Sequence, residues 1–396
     1  MERWLNREAK IKDFIQKHIT ILYLIPITLI GGYIRFVLRG YVSGDMSAYL
    51  KPWLSAIKEN GGLAALKLDI GNYNPPYLTI LALFSYLPLP LSDVSLIKLP
   101  SVMFDFFVAI STAIFVWRCF GEKSKAVFLY SALILNPMAI LNSAYWGQCD
   151  VIYASFLVLC VLCCMKEKYF AAFILFGISF GFKLQALFLL PMLLIVYMQK
   201  KKISLLHFLL IPLMDFVLCL PAIIAGRPIE SIISIYFNQV GLYECMTVNC
   251  FNIWQCFPVP YFPFSRVAIL FTLAVIGLGA YCVLKNKIIL EGHKLLYFSI
   301  WVIFSCYMFL PDMHGRYSYA MELLLIIYVS LYKRHIGICV IVCMLSLAAY
   351  SYFFMNAIPL SATQMSIINL ACYFRFSYDG LQYLFTNNER QGTVSC

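Results

Sequence analysis

Apolar runs long enough to cross a bilayer, separated by short basic turns, leave this chain few folds to choose from. Between Arg266 and Lys285 stands "VAILFTLAVIGLGAYCVL", with no charged residue, and comparable runs recur along most of the chain. Inside hydrocarbon every backbone N–H and C=O needs an internal partner, so runs of this kind form helices. A transmembrane barrel would show weak, alternating segments of about ten residues, whereas these runs are continuous. Hydrophobic residues make up 62% of the 396 and charged residues 12%; a soluble domain has roughly 45–50% and 25%. The expected fold is an all-α polytopic membrane protein of about 11 transmembrane helices (roughly 10–13), built as one integral-membrane domain over residues 1–396.

The net charge of +11 fits the enrichment of Lys and Arg in cytoplasmic loops, and no nucleic-acid partner is expected. The tail "MERWLNREAKIKDFIQKH" is basic and lacks a small-residue cleavage site, so the first apolar segment reads as a retained signal anchor with a cytoplasmic N-terminus. Span one covers 20–38. The basic turn "WRCFGEKSKA" is cytoplasmic too, which puts 39–95 on the outer face. There "DMSAYLKPWLSAIKENGGLAAL" and "PPYLTILALFSYLPLPL" read as interfacial helices. Spans then follow at 95–117, 125–143 and 150–165, two short ones meet at "GFKLQ", and another covers 205–224 before a long outer loop at 225–264. Three more crossings turn at "KNKIILEGHK", "PDMHGRY" and "YKRH", and a last one covers 336–356. The C-terminal segment 357–396 has no assigned topology.

This orientation gathers "SGDMSAY", "GNYNPPY", "WGQCD", "GFKLQ", "TVNCFNIW" and "PDMHGRY" on one outer face. Charged side chains near mid-membrane cost about 2.5–3.5 kcal/mol each on insertion scales, so a cluster such as Asp312, His314 and Arg316 is first read as functional. Asp45 can act as a general base on a hydroxyl, or it can cap a helix, as can Ser43. Lys183 can bind a phosphate, or snorkel to the interface. His314 and Arg316 can clamp an anion; alternatively Asp312 and Arg316, at i and i+4, pair on a helix. Gln148 and Asp150 can cap the fourth span or bind sugar hydroxyls, and Asn249, Asn252 and Trp254 can read a sugar by amide contact and ring stacking. Asp105 is expected to pair with Lys98. The fifteen Cys show no paired metal spacing and mostly read as small packing residues, with one disulfide open among Cys245, Cys250 and Cys256. No cofactor is required by any motif; a divalent cation is left open by the lone "DMH" but not indicated.

"SGDMSAYLKPW", "NYNPPYL", "SAYWGQCDVIYA", "FGFKLQALFLLP", "TVNCFNIW" and "MHGRYSY", in this order between about residues 30 and 325, resemble the bacterial membrane hexosyltransferases of the GT-C superfamily, which are akin to the second mannosyltransferase of GPI-anchor synthesis. The resemblance implies a GT-C-like fold and transfer of a hexose from a polyprenyl-phosphate donor to an extracytoplasmic glycan, glycolipid or protein acceptor, with inversion. It implies Asp45 as general base and Lys183, Arg316 and His314, with Lys98, around the donor phosphate. Asn74, Trp146, Gln148, Asp150, Gln185, Asn249, Asn252, Trp254 and Tyr317 are then the expected sugar and acceptor contacts. The partners implied are the lipid donor, the acceptor and membrane lipids; the location implied is a bacterial plasma membrane with the site outside. One departure stands out: the family often carries Glu between its His and Arg, where this chain has Gly315. Two other readings compete, a transporter or flippase for a lipid-linked glycan, which would call for internal repeats and midplane polar sites, and a glycan polymerase.

Overall fold

A computed structural model describes residues 1–239 and 241–386, and it is all-α apart from one two-residue strand pair. The long first helix α1 (Glu2–Leu38) is followed by two short ones, α2 (Lys51–Glu59) and α3 (Pro75–Ser85). Next come α4 (Asp93–Phe120), α5 (Lys123–Ile134) and α6 (Pro137–Ile140), the last continuing as a π-helical turn through Trp146. The middle of the chain forms α7 (Asp150–Met165), α8 (Tyr169–Phe182), α9 (Leu190–Gln199), α10 (Leu210–Ile224) and α11 (Ile229–Asn238). The remainder forms α12 (Tyr261–Lys285), α13 (Gly292–Phe309), α14 (Tyr319–Tyr332), α15 (Ile336–Met355) and α16 (Ala362–Thr386). Strands β1 (Thr247–Val248) and β2 (Met313–His314) pair in parallel, with Val248 opposite His314.

Among the described residues five helices are long and apolar enough to cross a membrane, one of them α10 together with the 3-10 turn from Leu205, and six when the bent α5–α6 pair is taken as one. Their outward faces are rich in exposed Leu, Ile and Phe, such as Leu270 and Leu273 on α12. That is how a helix facing hydrocarbon looks, because lipid tails solvate apolar side chains as well as the interior does. The chain is an all-α membrane protein. The interfacial segments have nine and eleven residues, too short to span roughly 30 Å at 1.5 Å per residue. In α2 the apolar stripe Trp53, Leu54 and Ile57 is buried while Lys51 and Lys58 stay in the open.

The two ends of the bundle differ in chemistry. At one end the basic turns meet: Lys200 pairs with Glu167 and Glu291, Lys202 pairs with Glu167, and Lys166 reaches the carbonyl of Cys119. The other end gathers the polar clusters, with the C-termini of α1, α8 and α13 and the N-termini of α4, α7 and α14.

Asp105, buried in α4, pairs with Arg35 of α1 at 2.8 Å and also accepts from Ser143. The expected Asp105–Lys98 pair does not form. Seven residues along a helix are about 10.5 Å apart, and side chains lean toward the helix N-terminus, so Lys98 leans away from Asp105. Its ammonium binds the carbonyls of Tyr41 (2.7 Å) and Leu38 (3.4 Å) instead, tying down the end of α1. Cys245, Cys250 and Cys256 all carry free thiols. Of the C-terminal segment, α16 packs on α13 by stacking Phe376 on Tyr297, and residues 387–396 lie outside the described residues.

Candidate functional site

The site begins where α1 ends. Ser43, not Asp45, caps the following helical turn, accepting from the Met46 N–H at 3.1 Å and donating to the Trp146 carbonyl at 3.0 Å. Asp45, half-buried, is thereby left free of backbone duty. Its Oδ2 accepts from Trp146 Nε1 at 2.9 Å and from Gln148 Nε2 at 2.8 Å. Both donors reach one oxygen because Gly147 between them turns the chain at φ +86°, a left-handed conformation glycine adopts without steric cost. A Cβ there would also lie 2.5 Å from the Met46 side chain. The Gln148 side chain reaches further: its Oε1 accepts from the Tyr73 hydroxyl at 2.9 Å and from Arg316.

Behind this amide lies a buried charge cluster. Asp150 opens α7 and is fully enclosed. Its carboxylate accepts from Asn142 at 2.9 Å, binds the Lys183 ammonium, and lies 3.8 Å from the Arg316 guanidinium. Lys183 is placed by the break between α8 and the 3-10 turn that precedes α9; its backbone is extended there, at φ −152°. Burial lowers the ammonium's proton affinity, and Asp150 beside it more than offsets that, holding Lys183 charged above its ordinary pKa. The Lys183 Nζ also sits 5.3 Å from the Tyr73 ring centroid, and the Arg316 guanidinium 5.4 Å from that of Trp146, both within cation–π range. Two cations against one buried carboxylate leave the cluster positive.

A cavity of about 240 Å³ opens on this cluster. Lys183, Arg316, Tyr73, Gln185 and the carboxylate-bearing Asp312 supply polar wall, and Phe188, Ile269 and Leu242 supply apolar wall. Asp45 does not line it; Gln148 is the link from Asp45 to the Arg316 and Tyr73 of its wall. Arg316 Nε is buried without a hydrogen-bond partner. Tyr317 lines the cavity as expected, and Asn74 lines it with its amide held between the Gly181 carbonyl and Gln239.

Asp312 apart, which lies in the cavity wall, the remaining expected residues fall into supporting positions. Asp312 does not pair with Arg316: its backbone is left-handed (φ +57°), the segment is not α-helical there, and its carboxylate accepts from Tyr261 at 2.7 Å. Burial raises the Asp312 carboxyl above its ordinary pKa. His314 packs its ring between Tyr243 and Tyr317, with centroids 4.7 and 4.9 Å away. Burial, with Arg316 and Lys183 nearby, pushes its pKa down to about 3, so it is a neutral ring and adds no charge to an anion clamp. Asn252 caps a short turn through the Trp254 N–H (3.2 Å), and the Trp254 indole donates to the Phe309 carbonyl at 2.8 Å. These two brace the 247–255 loop against α13. Asn249 meets the site through its backbone: a Cβ on Gly315 would come within 2.3 Å of the Asn249 carbonyl oxygen. No larger residue fits at 315 unless the backbone shifts. Trp146 stacks on Phe353 at 4.3 Å, and Lys98 stays outside the cavity.

Asn142 and Tyr350 were not read from the sequence as site residues, yet Asn142 joins Asp150 to the Tyr350 hydroxyl. An Asn within the apolar run ahead of "WGQCD" was the available signal. Among the described residues no group of three or more His, Cys, Asp or Glu is placed to hold a metal ion. No protein-family model and no curated protein matches the chain.

Proposed function

We propose that this chain is a membrane glycosyltransferase of GT-C type, moving a hexose from a polyprenyl-phosphate donor to an extracytoplasmic acceptor. The observation that carries this reading is a half-exposed carboxylate joined through one amide to a cation-rich cavity: Asp45 to Gln148, and Gln148 to Arg316 and Tyr73. In this scheme the donor phosphate sits in the cavity against Lys183 and Arg316, and the acceptor hydroxyl approaches Asp45. Asp45 takes the hydroxyl proton, the oxygen attacks the anomeric carbon from the far side, and the bond from that carbon to the phosphate oxygen breaks. The bonding electrons leave with the lipid phosphate, whose growing charge the two cations stabilise. Asp150 keeps both cations in place between turnovers. Lys98, held on backbone carbonyls, and the neutral His314 have no part in binding the phosphate charge.

On this reading α1, α4, α5–α6, α7, α8, α9 with the 3-10 turn before it, α10, α12, α13, α14 and α15 are taken as the eleven crossings expected from hydropathy, of which five, or six with the bent α5–α6 pair, are long and apolar enough to span on their own. With the basic turns cytoplasmic, the cavity at Lys183 and Arg316 opens on the outer face of a bacterial plasma membrane.

The test uses purified protein in proteoliposomes with a panel of polyprenyl-phosphate hexoses carrying labelled sugar. Wild type is expected to transfer or slowly hydrolyse sugar from one donor, and Asp45→Asn to lose that turnover while still binding the donor. Near wild-type turnover in Asp45→Asn removes Asp45 as the base. Labelled lipid crossing the bilayer with no donor consumed refutes the transferase in favour of a flippase.

A further inference from the structure

A second cavity, about 570 Å³, lies between α1, α4 and α5, near the end of the bundle that carries the basic turns. Its chemistry is graded along its length. Lys17, His18 and Lys123 stand at one end; Ile21, Leu24 and Ile114 line the middle; at the other end Thr28 and Tyr130 bond hydroxyl to hydroxyl at 2.7 Å. Lys17, Ile21, Leu24 and Thr28 recur at helical spacing, so one face of α1 forms a whole wall of the groove. Among the described residues neither Lys17 nor Lys123 has a carboxylate within ion-pair distance: Glu122 is paired with Lys125, and Lys123 rests 5.7 Å from the Trp117 ring centroid. Meanwhile α1 is anchored firmly at its far end, where Arg35 binds Asp105 and the Ile134 carbonyl. Its first half is largely exposed.

We propose that this groove binds one anionic phospholipid, its phosphate headgroup between Lys17 and Lys123 and an acyl chain along Ile21, Leu24 and Ile114. The occupant follows from the grading. A water-soluble anion would leave the apolar length unfilled, and an uncharged lipid would leave two lysines unmatched. Basic pockets between membrane helices take anionic headgroups for this reason. The lipid packs the near half of α1 onto α4 and α5, where protein contacts alone are sparse. The site is at the opposite end of the bundle from the cavity at Lys183 and Arg316 and does not depend on the chemistry there.

Native mass spectrometry of the full chain, delipidated and then titrated with phosphatidylglycerol or phosphatidylcholine, tests the assignment. At about 1 kcal/mol per lysine near a membrane headgroup, Lys17→Gln/Lys123→Gln is expected to weaken phosphatidylglycerol binding about 30-fold and leave phosphatidylcholine adducts unchanged. Ile114→Trp, which fills the groove and keeps both lysines, is expected to abolish the tight phosphatidylglycerol adduct as well. Glycerol phosphate, a headgroup without chains, is expected not to compete. Equal retention of phosphatidylglycerol by wild type and the double variant overturns the proposal, as does equal binding of the two lipids by wild type. If the double variant does not fold, unchanged binding in Ile114→Trp still refutes it, and competition by glycerol phosphate would reduce the site to a simple anion contact.

Discussion

Replacing Asp150 by Asn keeps the shape of the residue and removes one buried charge. Lys183 then keeps its cation–π contact with the Tyr73 ring, 5.3 Å away, and loses its counter-ion, and Arg316 loses a carboxylate at 3.8 Å. At an effective dielectric of about 20, a unit charge pair near 4 Å is worth about 4 kcal/mol. Breaking a buried pair from one side typically costs about 3–5 kcal/mol, because the surviving charge stays desolvated. Asp150→Asn is therefore expected to lose about 3–5 kcal/mol of stability, read by denaturant or thermal unfolding in a fixed detergent. Lys183→Met in the same background removes the orphaned charge. The double variant is expected to regain about half of that loss or more, so the two changes couple by at least about 1.5–2.5 kcal/mol. A loss under about 1 kcal/mol, far below the range for a broken buried pair, or strict additivity of the two changes, would refute the view that Asp150 is the counter-ion of the cluster.

Other consequences can be checked separately. Gly315→Ala is expected to cost about 1–3 kcal/mol, since its Cβ meets the Asn249 carbonyl at 2.3 Å and Ala349 Cβ at 2.9 Å; Gly315→Glu should cost more. Unchanged melting temperatures in both variants would contradict the tight β1–β2 approach. His314 has a folded pKa of about 3 against roughly 6.5 unfolded, so below pH 6.5 the unfolded chain takes up a proton that the folded one refuses. The stability it contributes is full above pH 7 and falls as pH drops from 6.5 toward 3. The gap in melting temperature between wild type and His314→Gln should thus narrow on acidification, and a constant gap would count against a buried neutral ring. Gln148→Met removes the amide that ties Asp45 to Arg316 and is expected to lower turnover about 10- to 100-fold, from the loss of hydrogen bonds to charged groups worth about 1.5–3 kcal/mol each. Donor KM should move little, and unchanged turnover would remove Gln148 from the positioning of Asp45.

Hydropathy and charge carried a long way here because a bilayer imposes few solutions. A spanning run must be helical, so the expected spans coincide with helices, and the short amphipathic pieces between 39 and 95 stay short. The gathering of the six polar clusters at one end was legible for a related reason. Helices that alternate in direction return every second turn to the same end, and the charged turns mark the other. Asp45, Lys183 and Arg316 could be singled out because charged groups within an apolar chain need partners.

Pairing was decided only in three dimensions. Spacing along the chain suggested Lys98 with Asp105 and Asp312 with Arg316, but the first pair is separated along the helix axis and the second lies on a non-helical turn. The actual partners come from elements far apart in sequence: Arg35 with Asp105, Lys183 with Asp150, Gln148 with Asp45 and Arg316. Periodicity tells which side of a helix a residue occupies, not which other helix faces it. The sequence by itself determined where the helices run and which end of the bundle holds the polar residues, since solvation by lipid acts on each segment alone. The tertiary structure decided which charges neutralise one another, because a buried ion pair is a relation between segments, set by helix packing and a few backbone breaks such as those at Gly147 and Lys183.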